Sequence, residues 1–304
     1  MIYDMLIIGG GPGGYTAALY AARAGLTVAV LEKLSAGGQM AQTHKIDNYP
    51  GFPDGVDGFE LAEQMQLQAE NFGAVTEYAD VTEVDLKANP KAVHSSEGTF
   101  YGRTVVLATG AGPRELGLPM ERELTGRGVA YCAACDGMFF KGKTVAVVGG
   151  GNSAAADALL LSRVAKKVYL IHRRDTLRAE KASQKPLMEA GNVEFIWNST
   201  VTELLHDGKL TGIRVRNLVS GEERELSLDG LFISVGRRPA TALVQDQLSL
   251  DPGGYVIAGE DTKTNIPGVY AVGDVRTKPL RQIVTAVADG AVAVQMAEHY
   301  LAGD

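Results

Sequence analysis

Cysteine is almost absent from this chain: 304 residues contain two, Cys132 and Cys135. One pair cannot build a disulfide framework, which excludes a small secreted scaffold. A four-ligand zinc site would need His or carboxylate partners, and no nearby spacing supplies them. Long apolar runs are missing too, and none approaches the ~20 residues of a membrane span. There is no positive excess: 29 Lys and Arg face 36 Asp and Glu, a net charge of −7, which argues against a chain that coats nucleic acid or an anionic membrane. No low-complexity segment or charge run interrupts the sequence. The first residues enter an apolar strand directly, with no basic segment or cleavage site of a secretory signal, so the cytoplasm is the expected compartment.

What is present reads as globular. The length suits about two domains of ~150 residues, and 45% hydrophobic with 21% charged residues suffices for a core and excludes wholesale disorder. Glycine, 37 residues, exceeds the usual ~7%. The excess gathers at the ends of apolar runs, where it permits close approach of backbone to a ligand.

Two segments share one grammar. In the first, the apolar run Tyr3–Ile8 meets Gly9-Gly10-Gly11-Pro12-Gly13-Gly14, a small-residue helix over Tyr15–Ala24 and a second apolar run, Leu26–Leu31, ending at Glu32. In the second, Thr144–Val148 meets Gly149-Gly150-Gly151-Asn152-Ser153-Ala154, a helix from about Ala155 to Val164, then Val168–Ile171 ending at His172-Arg173-Arg174. Each is strand, turn, helix, strand. Further buried strands, Val105–Ala108 and Leu231–Val235, end in Thr109-Gly110 and Gly236-Arg237-Arg238-Pro239. The tail, about Leu243 to Asp304, is too short to fold alone. It carries one strong strand, Val269–Val272, ending in Gly273-Asp274, and a long helix over about Ile283–Tyr300. It is expected to return and complete the first domain, which makes the second an insertion. The expected division is 1–113, 114–242 and 243–304.

Gly9-x-Gly11-x-x-Gly14 with Glu32 is a dinucleotide fingerprint. Gly9 allows the tight turn, Gly11 admits the pyrophosphate to backbone N–H groups, Gly14 lets helix meet strand, and Glu32 accepts hydrogen bonds from a ribose diol. Gly149-x-Gly151-x-x-Ala154 repeats the pattern, but His172 stands where an acid would, with Arg173, Arg174 and Arg178 beside it. An acid would repel a 2′-phosphate, whereas Arg binds one bidentately, so the second site is read as built for NADPH. The first then needs a hydride acceptor, for which FAD is the natural candidate. Asp274, at a strand end, is placed to bind a ribityl hydroxyl.

Cys132-Ala133-Ala134-Cys135-Asp136 is the redox candidate, because two intervening residues suit a disulfide that opens and closes. Asp136 is the candidate proton donor and acceptor. His44, His94, His206 and His299 are read as surface or packing residues, and Trp197 as an ordinary core or edge position.

Together these segments resemble the low-molecular-weight thioredoxin reductases over nearly the whole chain. The matching stretches include Gly9–Gly14, Gly37-Gly38-Gln39, Asp47 to Gly51, Ala108-Thr109-Gly110, Cys132 to Gly137, Gly149 to Ala154, His172 to Arg178, Gly273-Asp274-Val275 and Arg281-Gln282-Ile283. The resemblance implies an α/β fold of two Rossmann-like, three-layer ββα domains, the NADPH domain inserted in the FAD domain, and a homodimer with FAD and NADPH in each subunit. It implies Gly9, Gly11, Pro12, Gly14, Glu32, Gly38, Gln39, Asn48, Thr109 and Gly110 at the flavin. Gly273, Asp274, Arg281, Gln282 and Ile283 join them from the tail. NADPH falls to Gly149, Gly151, Asn152, Ser153, Ala154, His172, Arg173, Arg174 and Arg178. Cys135 is then the thiol that meets the flavin, Cys132 attacks the thioredoxin disulfide, and Asp136 is the acid/base. Ala134 replaces the Thr common at that position, and Asn152 the Asp of many members.

The expected reaction runs from NADPH through FAD to the Cys132–Cys135 disulfide and on to thioredoxin. Because Cys135 and Gly149 are close in sequence, disulfide and NADPH are expected to share one domain that rotates to present each in turn. Other readings remain at this point: a flavin NADP reductase serving ferredoxin or flavodoxin, and an FAD-dependent dithiol oxidase. A non-catalytic redox sensor is a third.

Overall fold

The structure, a computed structural model, describes residues 1–43 and 45–303; His44 lies outside them. The chain forms two compact units, Met1–Gly112 with the segment from Arg238 onward, and Pro113–Arg237.

The first unit opens with β1 (Ile2–Ile8), α1 (Pro12–Arg23) and β2 (Val28–Glu32), then α2 (Gly58–Glu70) and β3 (Val75–Tyr78). A meander follows: β4 (Val81–Asp85), β5 (Lys91–Ser95) and the ten-residue β6 (Gly98–Leu107), before the short β7 (Ala111–Pro113). Strands β3, β2, β1 and β6 are parallel neighbours, and β5 and β4 continue the sheet antiparallel. The side-chain period of two sorts β1 and β2 onto two faces. Met5, Ile7, Val28 and Val30 enter a core with α1 and α2, while Leu6, Ile8, Ala29 and Leu31 enter another with Val84 and Val93 of the meander. A one-residue slip would exchange the two sets, so burial on both faces fixes the register. Asp57 caps α2, accepting from Phe59 N at 2.9 Å and Glu60 N at 3.1 Å, a contact worth ~1 kcal/mol.

The second unit contains β8 (Val129–Ala130), α3 (Ala133–Asp136), β9 (Thr144–Val148), α4 (Asn152–Ser162), β10 (Lys167–Ile171), α5 (Lys181–Glu189) and β11 (Val193–Ile196). Then come β12 (Ser199–His206), β13 (Leu210–Asn217), β14 (Glu223–Ser227) and β15 (Gly230–Ile233). A parallel sheet in the order β11-β10-β9-β15-β8 has helices on one face and the antiparallel β12-β13-β14 layer on the other. Val145, Val147, Val168 and Leu170 meet Ala155, Ala158 and Leu161 of α4, whereas Ala146, Val148 and Ile171 meet Val201, Ile213 and Val215. Each unit is thus a three-layer Rossmann-like fold.

The chain leaves the second unit along β16 (Arg237–Pro239), which pairs with β7, so the outgoing and returning connections form a two-stranded ribbon. Residues 238–242, assigned to the insert by the sequence division, are tied to the first unit. Ala240 N donates to Gly110 O at 3.0 Å, Thr109 Oγ1 donates to Ala240 O at 2.8 Å, and Thr241 Oγ1 donates to Gly254 O at 2.9 Å. The tail then adds β17 (Val269–Ala271) in parallel beside β6 and ends in α6 (Ile283–Ala302). Helices α1 and α6 pack backbone to backbone: a Cβ on Gly290 would stand 2.4 Å from Gly13 O. Among the described residues, no helix is long and apolar enough to cross a membrane.

Candidate active site

The first glycine turn follows β1. Gly9 has φ +104°, and a Cβ there would stand 2.6 Å from Ala108 O; on Gly14 it would stand 2.1 Å from Gly9 O. Both positions therefore exclude side chains. At Gly11 nothing lies within 4 Å of the same point, so the backbone faces open space. Gly11 is the N-cap of α1 and no side chain occupies the cap, which leaves the first amides of a Pro-initiated helix for an anion. The sequence reading opens this helix at Tyr15; it begins at Pro12, because Gly11 is already in extended cap geometry (φ −76°, ψ −179°). Glu32 is held at both oxygens: Gly10 N donates to Oε2 at 2.7 Å, and Lys33 N to Oε1 at 2.9 Å. Gly37 N donates to Gly10 O at 2.7 Å and docks the next loop on the turn. Gly10 lies between the fixed glycines of the motif, so the pattern alone assigns it no role.

Other residues expected at this site converge from distant segments of the first unit. Asn48 Nδ2 donates to Gln282 Oε1 at 3.0 Å, and the Gln39 side-chain amide donates to Ala111 O. Gly38 (φ +55°) has open space where a Cβ would be. Gln282 caps α6 through a reciprocal pair with Thr285, and Ile283 is the first helical residue. Arg281 donates to the backbone oxygens of Asp274 (3.3 Å) and Arg276 (3.1 Å), with its guanidinium 3.9 Å from the ring centre of Tyr255.

Beneath the Gly273-Asp274 turn lies a charge cluster that the sequence did not disclose. Asp289, on α6, receives Gly273 N (2.8 Å), Arg276 Nη2 (2.7 Å) and Lys278 Nζ (2.6 Å). The three side chains are 8%, 4% and 4% exposed in the order Asp289, Arg276, Lys278. Burial alone would push the Asp289 carboxyl up; hydrogen bonds from Arg276 and Lys278 more than reverse this and hold it below the usual carboxylate range. A lone Asp in an alanine-rich helix reads as a solvated residue, and only the fold brings two cations to it.

The second turn repeats the first inside the other unit. Gly149 has φ +153°, and a Cβ there would stand 2.4 Å from Ser234 O. Gly151 faces open space and caps α4 without a side-chain bond, so this helix begins at Asn152 and not near Ala155. Asn152 exchanges hydrogen bonds with Glu180 (Nδ2 to Oε1, 3.2 Å; Glu180 N to Oδ1, 2.8 Å), and Ser153 beside it is exposed. Ala154 is fully buried, its Cβ occupying the space beside Gly149. Arg178 N donates to Gly150 O at 2.7 Å, and the side chains of Arg173, Arg174 and Arg178 are exposed. His172 is only 4% exposed and its Nε2 has no partner. Burial, reinforced by the charges of Arg178, Arg174 and Arg173, pushes the His172 imidazole below its ordinary value.

In the same unit Cys132 and Cys135 are joined as a disulfide. Cys132 caps the short helix α3, its Sγ accepting from Cys135 N at 3.2 Å, and both cysteines are half-buried. Asp136 ends the helix, half-buried, with its N–H donating to Cys132 O at 3.0 Å. Among the described residues, no three His, Cys, Asp or Glu are grouped to hold a metal ion. Of the remaining histidines, His94 bonds Thr99 Oγ1 at 2.9 Å, His299 bonds Gln295 at 3.2 Å, and His206 ends β12; Trp197 stacks on Phe195.

Two phosphate-ready turns and a redox disulfide define a nucleotide-dependent disulfide oxidoreductase. The family model for pyridine nucleotide-disulphide oxidoreductases matches residues 3–290, and the chain belongs to that family, in its thioredoxin reductase branch. A thioredoxin reductase from Listeria monocytogenes is 46% identical over 99% of this chain and 94% of its own length. A bifunctional thioredoxin reductase/thioredoxin from Mycobacterium leprae is 45% identical over 99% of this chain and 66% of its own. The solved thioredoxin reductase of Streptococcus pyogenes superposes with a TM-score of 0.91 at 44% identity, covering 100% of this chain and 99% of that one.

Proposed function

We propose that this protein is an NADPH-dependent flavoenzyme that reduces the disulfide of thioredoxin. The observation that carries the reading is the Cys132–Cys135 disulfide set in the same unit as the second dinucleotide turn, in a chain whose first turn is intact as well. The cradles fit the family's cofactors. Gly11 and Gly151 leave the space of a side chain open at uncapped helix starts, which suits a pyrophosphate, and Glu32 is fixed where a ribose diol would lie.

FAD falls to Gly9, Gly11, Pro12, Gly14, Glu32, Gly38, Gln39, Asn48, Thr109 and Gly110, with Gly273, Asp274, Arg281, Gln282 and Ile283 from the tail. NADPH falls to Gly149, Gly151, Asn152, Ser153, Ala154, His172, Arg173, Arg174 and Arg178, the three arginines presenting exposed guanidinium groups that suit a 2′-phosphate. When bound, the pair supplies hydride transfer and a two-electron path to a disulfide. The chain's own work is to orient that path and manage protons. Cys135 receives electrons, Cys132 attacks the partner disulfide as thiolate, and Asp136 exchanges the proton. Thioredoxin as partner is supported by the Mycobacterium leprae relative, whose name joins both activities in one protein.

The unit 113–237 rotates about the β7–β16 ribbon to present each group in turn; the disulfide and the second turn sharing one unit supports this. The protein works as a homodimer in the cytoplasm, where a chain whose only two cysteines form a redox pair stays otherwise free of thiol chemistry. The test is a steady-state assay of the yellow protein with NADPH and thioredoxin, before and after alkylation of the protein in its reduced, dithiol form. Alkylation should abolish thioredoxin reduction. Undiminished thioredoxin reduction by alkylated protein would overturn the reading, and activity confined to one-electron acceptors would point to a ferredoxin-type reductase.

A further inference from the structure

Lys278 is used by nothing in the reaction above, yet its side chain is almost wholly withdrawn from solvent. Its Nζ donates to Asp289 Oδ2 at 2.6 Å and to the backbone oxygen of Thr285, in the first turn of α6, at 3.1 Å. The same Oδ2 accepts Gly273 N at 2.8 Å and Arg276 Nε at 2.9 Å, while Oδ1 accepts Arg276 Nη2 at 2.7 Å. The Arg276–Asp289 pair is thus bidentate and charge-balanced without Lys278. Arg276 Nη1 is also taken up, by the carbonyls of Ala258 (3.2 Å) and Thr277 (3.0 Å). Residues 274–289 carry three cations, Arg276, Lys278 and Arg281, against two carboxylates, Asp274 and Asp289, so one positive charge is in excess. The segments that Lys278 joins belong to the flavin site assigned above. Gly273-Asp274 lies on one side and the helix start at Gln282-Ile283 on the other, and Gly290, next to Asp289, packs against Gly13 of the first glycine turn.

We propose that Lys278 is a positioning residue for the flavin: it ties the Gly273-Asp274 turn to the start of α6, and its unbalanced charge favours the cofactor in its reduced state. This rests on the assignment of FAD to the first glycine turn and to residues 273–283. The tie is geometric. One ammonium shared between Asp289 and Thr285 O closes a bridge from the turn, held by the same carboxylate oxygen, to the helix. Arg281 links the turn to the helix start from the other side, through the backbone oxygen of Asp274. The charge acts on reduction, when a flavin takes up two electrons and one proton and so gains one negative charge. A buried cation is screened less by water and salt than an exposed one and acts over a longer range. An apolar side chain of similar volume would fill the same place without the desolvation penalty of a second cation. Burial draws the Lys278 ammonium below the ordinary lysine value of 10.5, and Asp289 opposes the drop by hydrogen bond and by charge, so the group is charged at neutral pH.

The test titrates the flavin-loaded full-length protein at neutral pH with dithionite beside a reference dye of known potential, and reads oxidised and reduced flavin by absorbance. Dithionite supplies the electrons and ends as sulfite, and the buffer supplies the proton. Lys278→Met keeps the bulk of the stem, leaves the Arg276–Asp289 pair balanced, and removes the charge and both hydrogen bonds. Lys278→Gln removes the charge and keeps a donor. Both should lower the reduced-to-oxidised ratio at a given potential about tenfold, which is ~30 mV downward. The affinity of the apoprotein for FAD, read by flavin fluorescence, should fall in Lys278→Met and fall less in Lys278→Gln. A prop without an electrostatic role would weaken both redox states alike and leave the ratio unmoved. A ratio within twofold of the parent in either folded variant would overturn the inference. If one variant does not fold, the other decides; failure of both to fold also overturns it, because the balanced pair beside a methionine should be stable. A parent that takes up no FAD would sink the flavin assignment itself, whereas a loaded parent with unmoved variants sinks this inference alone.

Discussion

The ring of His172 lies against the backbone of Gly150: a Cβ on that glycine would stand 2.2 Å from Cε1 and 2.3 Å from Nδ1. The histidine is therefore part of the wall of the second turn and shapes it from behind. Its neutral form is favoured in the folded protein, because burial removes its water and the arginines beside it repel a second positive charge.

Gly150→Ala should displace the ring or the turn. Overpacking of this kind costs ~1–3 kcal/mol, and the damage falls in the unit that holds the turn. NADPH affinity should drop while FAD stays bound. Titration of flavin reduction against NADPH checks this, with the FAD content of the purified variant as control.

The depressed His172 pKa makes stability depend on pH with a defined sign. The unfolded imidazole titrates near ~6.5 and the folded one below it. The contribution is complete above ~6.5 and is lost as pH falls toward the folded value. Urea midpoints should decline over that window in the parent and decline less in His172→Gln.

Replacing Arg173 and Arg174 together by Ala should raise the KM for NADPH more than that for NADH. A charge-assisted phosphate contact is worth ~1.5–3 kcal/mol, so the NADPH effect should reach at least about tenfold. Equal effects on both nucleotides would mean that these side chains do not read the 2′-phosphate.

Cys135→Ser should leave reduction of the flavin by NADPH intact and abolish thioredoxin reduction. Stopped-flow absorbance follows the first and a thiol assay the second. Retained turnover would remove the pair from the electron path.

Asp289→Asn should leave Arg276 and Lys278 buried against a neutral amide. Breaking a buried ion pair on one side costs ~3–5 kcal/mol, to be read as a lower unfolding midpoint. The Asp289 carboxylate stabilises above its unfolded pKa near ~3.9 and ceases to do so as pH falls through its lower folded value. The gap between parent and variant should therefore narrow below about pH 4.

Much of the architecture was legible. The two glycine turns stand out because each needs a positive φ or the space of a missing side chain, and few residue types meet either need. Strand faces follow from alternation, as in Met5 and Ile7 against Leu6 and Ile8. The sequence pattern places both helix starts three residues late, since glycines hide the cap they form. The partnership of Asp289 with Arg276 and Lys278 was not legible. It joins residues that pattern rules treat separately, and a carboxylate in an alanine-rich helix has no local signature of burial. His172 was identified by position, but its packing on Gly150 follows only from the way β10 runs beside β9.

The pairing of β7 with β16 sets the two ends of residues 113–237 side by side. A tight turn grafted between Gly112 and Arg238 would therefore bridge the gap left by deleting that entire stretch. The remaining residues would keep their sheet, including the β6–β17 contact, and should emerge as an autonomous flavin carrier with no cysteine and no nicotinamide turn. Such a truncation would allow the pigment's intrinsic potential to be measured in the absence of its usual donor and acceptor.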